Sequence, residues 1–383
     1  MDGNHFEIQG SELGSYVSLY FHLPFCSKKC PYCHFYVIKT QSKSQTEYFA
    51  ALKKEWMIKL PLLNGKTIIS IYFGGGTPSQ VHPSLMEDFF HLIFNSTVLI
   101  DPKCEITFEA NPEDLSSEYL SSLKTLPINR LSIGVQSLDD ETLKTLDRTH
   151  DAKKAIESII AANRAGFTNI SIDLMYDLPY QTKKSWNTTL NSIKTLPITH
   201  LSLYNLTIEP QTVFFKKQKE LKPHIPNESL SLYLLNKAIE TCEAMGLYRY
   251  EISAFAKKGF YSKHNTGYWI GREFHGYGCA AFSYFTKKRF KNVSNINQYI
   301  NQINSDQTTI DFEEELDPLA SSRELLAISL RLKEGVSKQN ISPDLFYELE
   351  KLEKERFVLI GEQRVSLTEK GMLFYDTVAS SII

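Results

Sequence analysis

Six short runs rich in Val, Ile, Leu, Tyr and Phe, broken by Gly, Pro or Asn and interleaved with helical stretches, limit the fold of this chain more than any other feature. The runs span 17–24, 67–75, 104–112, 130–137, 169–179 and 200–210. Between them lie segments such as QTEYFAALKKEWMIKL, PSLMEDFFHLIFN and AKKAIESIIAANRAG. In the last, Ala155, Ile159 and Ala162 recur at helical spacing, and Gly166 stands where a C-cap belongs. Strand and helix alternating six times predict an α/β fold with a parallel sheet of right-handed βαβ units. Periodicity alone does not separate a closed barrel, a partial barrel and an open doubly wound sheet. All three gather ligands at the carboxyl ends of the strands. The chemistry-bearing residues recur there: Cys26 follows the first run, Thr77 the second, Glu109 and Asn111 close the third and Gln136 the fourth. Asp173 lies in the fifth.

After about residue 212 the rhythm changes. A long helical stretch, ESLSLYLLNKAIETCEAMGL, precedes an aromatic, Gly-rich segment through Tyr284. From about Leu316 a helical run leads to FVLIGEQRVSLTEKG, which reads as a hairpin turning at Gly361-Glu362, so the end of the chain resembles a small winged-helix module. The organisation expected is a leader over 1–15, a sheet domain over 16–212, a segment completing it over 213–315 and a C-terminal, mainly helical domain over 316–383. That last domain reads as a cap on the sheet rather than a nucleic-acid binder, and a net charge of -2 supplies no general basic field. No stretch reaches the roughly 18 apolar residues of a membrane span. The opening MDGNHFEIQGSELGSY lacks a basic segment followed by an apolar one, so a cytoplasmic location is expected.

Three of the six cysteines, Cys26, Cys30 and Cys33, fall within eight positions. Thiolates bind soft metals, and three on one tight loop can close around one metal centre. A structural zinc site wants a fourth ligand, but no second C-x-x-C exists and His34 directly adjoins Cys33. Three ligands leave a position open for a substrate. The glycine run Gly74-Gly75-Gly76-Thr77 follows a strand and is expected to expose N–H groups to carboxylate or phosphate oxygens, or else to make a sharp turn.

C-x-x-x-C-x-x-C is the pattern of the radical S-adenosylmethionine (SAM) superfamily, which this chain resembles. The resemblance implies a [4Fe-4S] cluster on Cys26, Cys30 and Cys33, with SAM chelating the fourth iron and cleaved by one-electron reduction. YFHLPFC, FGGGTPS, FEANPEDL, RLSIGVQSLDDETLKTLDRTH, IDLMYDLP and LYNLTIEPQT, in that order, further resemble the oxygen-independent coproporphyrinogen III oxidase family over roughly 16–380. Carried over where motifs align, Tyr20 lies next to SAM and Gly75, Gly76 and Thr77 form its loop. Glu109, Gln136, Arg148 and Asp173 bind its polar groups. The implied fold is a partial, six-stranded β/α barrel with a smaller C-terminal helical domain.

Two features point to the HemW branch of that family, whose members are regarded as heme chaperones. Phe35 stands where the oxidases carry a further cysteine, and CPYCHF is similar to the CPYCDF of that branch. His264-Asn265-Thr266-Gly267-Tyr268-Trp269 matches its H-N-x-x-Y-W motif. By this resemblance heme is a third cofactor, with His264 ligating iron beside Tyr268 and Trp269, or else pinning a turn. His22 is a second candidate ligand, expected rather to orient the cysteine loop. The implied partners are apo-hemoproteins or respiratory-chain components and an electron donor, and a homodimer is left open. The expected function is heme binding and transfer without coproporphyrinogen oxidase activity. The alternatives are radical oxidative decarboxylation of coproporphyrinogen III to protoporphyrinogen IX, or a zinc-stabilised interaction module. Three departures from the family stand out: Asp177 where glycine is general, His34 where aspartate is usual, and Cys279 and Phe282 read as replacing a glycine and a histidine of a G-x-G-x-G-A-H-S pattern.

Overall fold

The computed structural model describes residues 14–383, so 1–13 of the expected leader lie outside the described residues. Strands form where the apolar runs stand: β1 (Tyr16–Leu23), β2 (Thr67–Gly75), β3 (Leu99–Ala110), β4 (Arg130–Gln136), β5 (Ile170–Tyr176) and β6 (His200–Asn205). They pair in chain order, all parallel. Their sequences alternate because their faces meet different surroundings. In β1, Val17, Leu19, Phe21 and Leu23 are buried in the core beneath the helices, while Ser18, Tyr20 and His22 take the opposite face. Register carries that polar face across the sheet, placing Tyr20 beside Tyr72, Glu109 beside Ser132 and Asp173 beside Ser202.

The connecting helices are α1 (Ser42–Lys59), α2 (Pro83–Phe94), α3 (Ser117–Lys124), α4 (Ala152–Arg164), α5 (Lys183–Ile193) and α6 (Glu228–Ala244). Side-chain oxygens of Ser116, Asp151, Thr182 and Asn227 cap the N-termini of α3, α4, α5 and α6. Gly166 ends α4 at φ +91°, with the Phe167 N–H donating back to Ala162, as its placement predicts.

The sheet continues at both edges through β7 (Tyr248–Glu251), β8 (Ala254–Ala256), β9 (Phe274–Tyr277), β10 (Phe282–Phe285), β11 (Lys288–Asn292) and β12 (Ile310–Glu315). Among the described residues its twelve strands run β12-β11-β10-β9-β1-β2-β3-β4-β5-β6-β8-β7. Strand β9 lies parallel to β1 and extends the parallel core, while β10 to β12 and β7 to β8 turn antiparallel. Among the described residues the end strands β12 and β7 do not pair with each other, so the α/β sheet stays open, in keeping with a partial barrel. A second core gathers Leu326, Leu330, Leu349, Val365 and Val378 around a three-stranded antiparallel sheet. Its hairpin, Val358–Ile360 with Arg364–Leu367, turns at Gly361 as expected.

Two strands end earlier than their apolar runs suggest. Strand β5 stops at Tyr176 because Asp177 takes φ +60° and turns the chain. Strand β6 stops at Asn205, and the residues beyond it line a cavity instead.

Candidate functional site

The cysteine loop leaves the carboxyl end of β1 and is closed by a short parallel pairing of Phe25–Cys26 with Ile38–Lys39. The Cys33 N–H donates to the Cys30 carbonyl at 3.1 Å, and Lys29 Nζ holds the Phe35 carbonyl at 2.8 Å. All three thiols are free and half-buried. Cys26 Sγ lies 3.2 Å from Thr77 Oγ1, and Arg148 Nη1 donates to Cys30 Sγ at 3.4 Å. Burial pushes the Cys26 thiol up to about 11 and raises that of Cys33. Among the described residues no three His, Cys, Asp or Glu side chains converge on a single-ion site. A four-iron cluster asks something different, one thiolate for each of three irons. A loop presenting three free thiols to a cavity, with an arginine against one sulfur, fits such a cluster.

The glycine run packs against that loop. A Cβ on Gly75, at φ +102°, would meet the His22 ring at 2.3 Å, and one on Gly76 would meet the Leu23 carbonyl at 2.6 Å. The N–H groups are already committed: Gly75 to Glu109 Oε2 at 3.2 Å, Gly76 to the Leu23 carbonyl at 2.9 Å and Thr77 to the Phe25 carbonyl at 2.8 Å. The expectation that this run presents free N–H groups to a ligand is therefore corrected. Its glycines permit close packing of β2 onto the cysteine loop, and only then do they line the cavity.

That cavity measures about 460 Å³ and collects nearly every site residue read from the sequence. Cys26, Cys30, Cys33, Gly75, Gly76, Thr77, Glu109, Gln136, Arg148 and Asp173 all line it. Arg148 is anchored by Asn111 Oδ1 at 2.7 Å and the Gly134 carbonyl at 2.9 Å. Burial raises the Glu109 carboxyl to about 7, although the Tyr72 hydroxyl donates to it at 2.7 Å; burial likewise raises Asp173 to about 6. Two acids, a half-buried arginine and three thiols thus face one space.

Tyr20 and His264 line a second, larger cavity of about 970 Å³ that shares His34, Phe35, Gly75, Glu109 and Tyr204 with the first. Its walls are largely aromatic, including Tyr72, Tyr268, Trp269, Phe274 and Phe282. The H-N-x-x-Y-W motif is a short helix, Lys263–Trp269, fixed at its start by Glu105, which accepts from the Lys263 and His264 N–H groups at 3.0 Å. Helical spacing puts His264 and Tyr268 on one face, where the Tyr268 hydroxyl meets His264 Nε2 at 2.7 Å. His264 Nδ1 contacts Ser70 Oγ at 3.0 Å, so both ring nitrogens are occupied and the ring is 1% exposed. Burial drives its pKa well below the ordinary histidine value. His22 is similarly held between the Tyr20 hydroxyl at 3.1 Å and the Tyr36 carbonyl at 3.2 Å, a strut across the cysteine loop.

Residues 20–193 match the radical SAM superfamily. A Bacillus subtilis (strain 168) protein named heme chaperone HemW is 33% identical over 374 residues, covering 96% of this chain and 99% of its own length. This chain belongs to the HemW heme chaperone family. A Lactococcus lactis relative of the same name is 32% identical over 92% of this chain and 94% of its own length. A Danio rerio relative, radical S-adenosyl methionine domain-containing protein 1, mitochondrial, is 28% identical over 96% of this chain and 87% of its own length. In fold the chain matches the solved coproporphyrinogen III oxidase (HemN) of Escherichia coli, with a TM-score of 0.85 at 24% identity over 99% of this chain and 92% of that one.

Against the family pattern, the departures at Asp177 and around Cys279 have local explanations. Asp177 keeps the turn that a glycine would make, at φ +60°, and ties it down by accepting from Asn205 Nδ2 at 2.8 Å and Ser231 Oγ at 2.6 Å. In the G-x-G-x-G-A-H-S pattern, the third glycine falls on Ala280 rather than Cys279. Ala280 holds φ +60° and lines the large cavity, whereas Cys279 is buried in the core. Sequence reading missed Ser70, Tyr72 and Tyr204. The alternation of small polar and aromatic residues along β1, β2 and β6 is the signal that marks them.

Proposed function

We propose that the chain binds heme in the larger cavity and passes it to apo-hemoproteins, holding a [4Fe-4S] cluster at Cys26, Cys30 and Cys33 with SAM beside it. The observation that carries this reading is the aromatic-walled cavity of about 970 Å³ opening directly onto the thiol-lined one, with Phe35 at their junction in place of a further cysteine. A space of this size and lining suits a planar amphiphile. Lys291 on its wall has no carboxylate partner among the described residues and is available to a heme propionate; Arg289 is paired with Glu314 and Glu324.

In the smaller cavity, Arg148 receives the SAM carboxylate, Glu109 and Asp173 accept from its ammonium or ribose hydroxyls, and Gln136 adds a further polar contact. Gly75, Gly76, Thr77 and Tyr20 shape the space around it. When bound, a reduced cluster supplies one electron to the SAM sulfonium. The family kinship and the superfamily match over 20–193 support both cofactors.

The fold shared with an oxidase gives the alternative: decarboxylation of two coproporphyrinogen propionates. Anaerobic cluster reconstitution followed by parallel assays separates the two. Heme should titrate to saturation with a spectral shift, and coproporphyrinogen III with SAM should yield little or no protoporphyrinogen IX. Robust protoporphyrinogen production would overturn the chaperone reading. Reconstitution without iron uptake would remove the cluster from it.

A further inference from the structure

Three histidines line the larger cavity: His22, His34 and His264. Two of them have no lone pair to offer. His22 spans the Tyr20 hydroxyl and the Tyr36 carbonyl, and His264 spans Ser70 and Tyr268. Both are almost wholly buried, at 3% and 1% exposure. His34 differs on every count. It is exposed, neither ring nitrogen has a hydrogen-bond partner among the described residues, and it lines both cavities where they meet. Its ring stacks on Phe35 with centroids 4.5 Å apart at 27°, and Lys29 Nζ pins the Phe35 carbonyl, so the side chain stands on an anchored loop.

We propose that His34 is an axial ligand of heme iron in this chain. This rests on the reading that the larger cavity holds heme. The imidazole lone pair forms one coordinate bond to iron, and a water or other weak axial ligand leaves. The oxidation state of the iron does not change, and the second ring nitrogen keeps its proton. The macrocycle then lies along the aromatic wall, and Lys291 faces a propionate across the same cavity. Aspartate, usual at this position in the resemblance drawn from CPYCDF, gives iron no comparable nitrogen, so this mode of ligation belongs to chains that carry histidine here.

The test uses the cluster-reconstituted protein, so that the three thiols are occupied, and hemin with and without dithionite. Absorption and electron paramagnetic resonance spectra are recorded for the unmodified chain, His34→Ala, His34→Asp and His264→Ala, with iron and sulfide content measured in each. The unmodified chain and His264→Ala should show an imidazole-ligated spectrum. Both His34 variants should lose it and bind hemin at least roughly tenfold more weakly, with cluster content unchanged. Imidazole added to His34→Ala should restore the signature. An unaltered spectrum and affinity in His34→Ala would overturn the assignment, as would a thiolate or phenolate signature in the unmodified chain. If the unmodified chain binds no hemin at all, it is the heme-site reading that fails, and the two failures are distinguishable.

Discussion

Glu109 and Asp173 face the smaller cavity as acids whose burial holds them near 7 and 6. A cationic ligand favours their ionised forms, so binding must expel any proton they carry. SAM affinity should therefore be level above about pH 7.5 and weaken as pH falls through 7 and then 6, approaching roughly tenfold per pH unit where one group titrates. Equilibrium binding across pH 5 to 8 reads this, and Glu109→Gln should remove the upper inflection. A flat profile in the unmodified chain would place the SAM cation elsewhere. Gly75 offers a steric counterpart. Gly75→Ala must accommodate a methyl 2.3 Å from the His22 ring at φ +102°, and should cost on the order of 1–3 kcal/mol in denaturant unfolding. The cysteine spacing was legible in the sequence because it is local. The fate of the Gly76 and Thr77 N–H groups was not, because their acceptors, Leu23 and Phe25, lie on a segment some fifty residues away. The same distance effect hid the state of His264, whose nitrogen contacts Ser70 across 194 positions.

Among the elements, α1 does more than cover the sheet. Its buried Glu55 accepts from Lys59 Nζ at 2.6 Å, the Gly278 N–H at 2.7 Å, Asn292 Nδ2 at 2.7 Å and the Tyr299 hydroxyl at 2.6 Å. One carboxylate thus fastens the β9 to β10 turn, which carries Ala280 to the large cavity. Glu55→Ala leaves the nearly buried Lys59 ammonium without its carboxylate and the Gly278 N–H and Tyr299 hydroxyl without an acceptor, and should cost about 3–5 kcal/mol. Hydrogen exchange should quicken in 276–283 before it does in β2 or β3, while uniform quickening would deny the local role. The six strands β1 to β6 were readable from apolar runs broken by turn residues. Strand β9 was not, since the aromatic, Gly-rich stretch around it carries no β/α rhythm and its parallel partner is β1, more than 250 residues earlier.

Across the whole molecule, the C-terminal core reaches the large cavity through helix Pro318–Ser329, which contributes Ser321, Glu324, Leu325 and Ile328 to its wall. Arg331 fastens this helix by lying over the Trp269 ring at 4.3 Å and the Tyr375 ring at 5.0 Å, and Ser329 Oγ donates to the Trp269 carbonyl at 2.7 Å. Arg331→Ala should weaken hemin binding several-fold while leaving iron and sulfide per chain unchanged, because the residues Arg331 touches, Trp269, Tyr375, Glu251 and Ser253, do not line the thiol cavity. Equal loss of cluster and hemin would show instead that the whole molecule had loosened. The sequence showed a helical and hairpin module here, but not that it closes a cavity, since that depends on packing between distant segments. What the molecule does with a bound heme is the central question. Cluster-reconstituted, heme-loaded protein freed of excess heme should be mixed anaerobically with an apo-hemoprotein, and the acceptor's absorption spectrum followed. Heme should appear in the acceptor stoichiometrically and leave the donor chain intact with its cluster. Retention of the heme by the donor under these conditions would contradict a role in delivery.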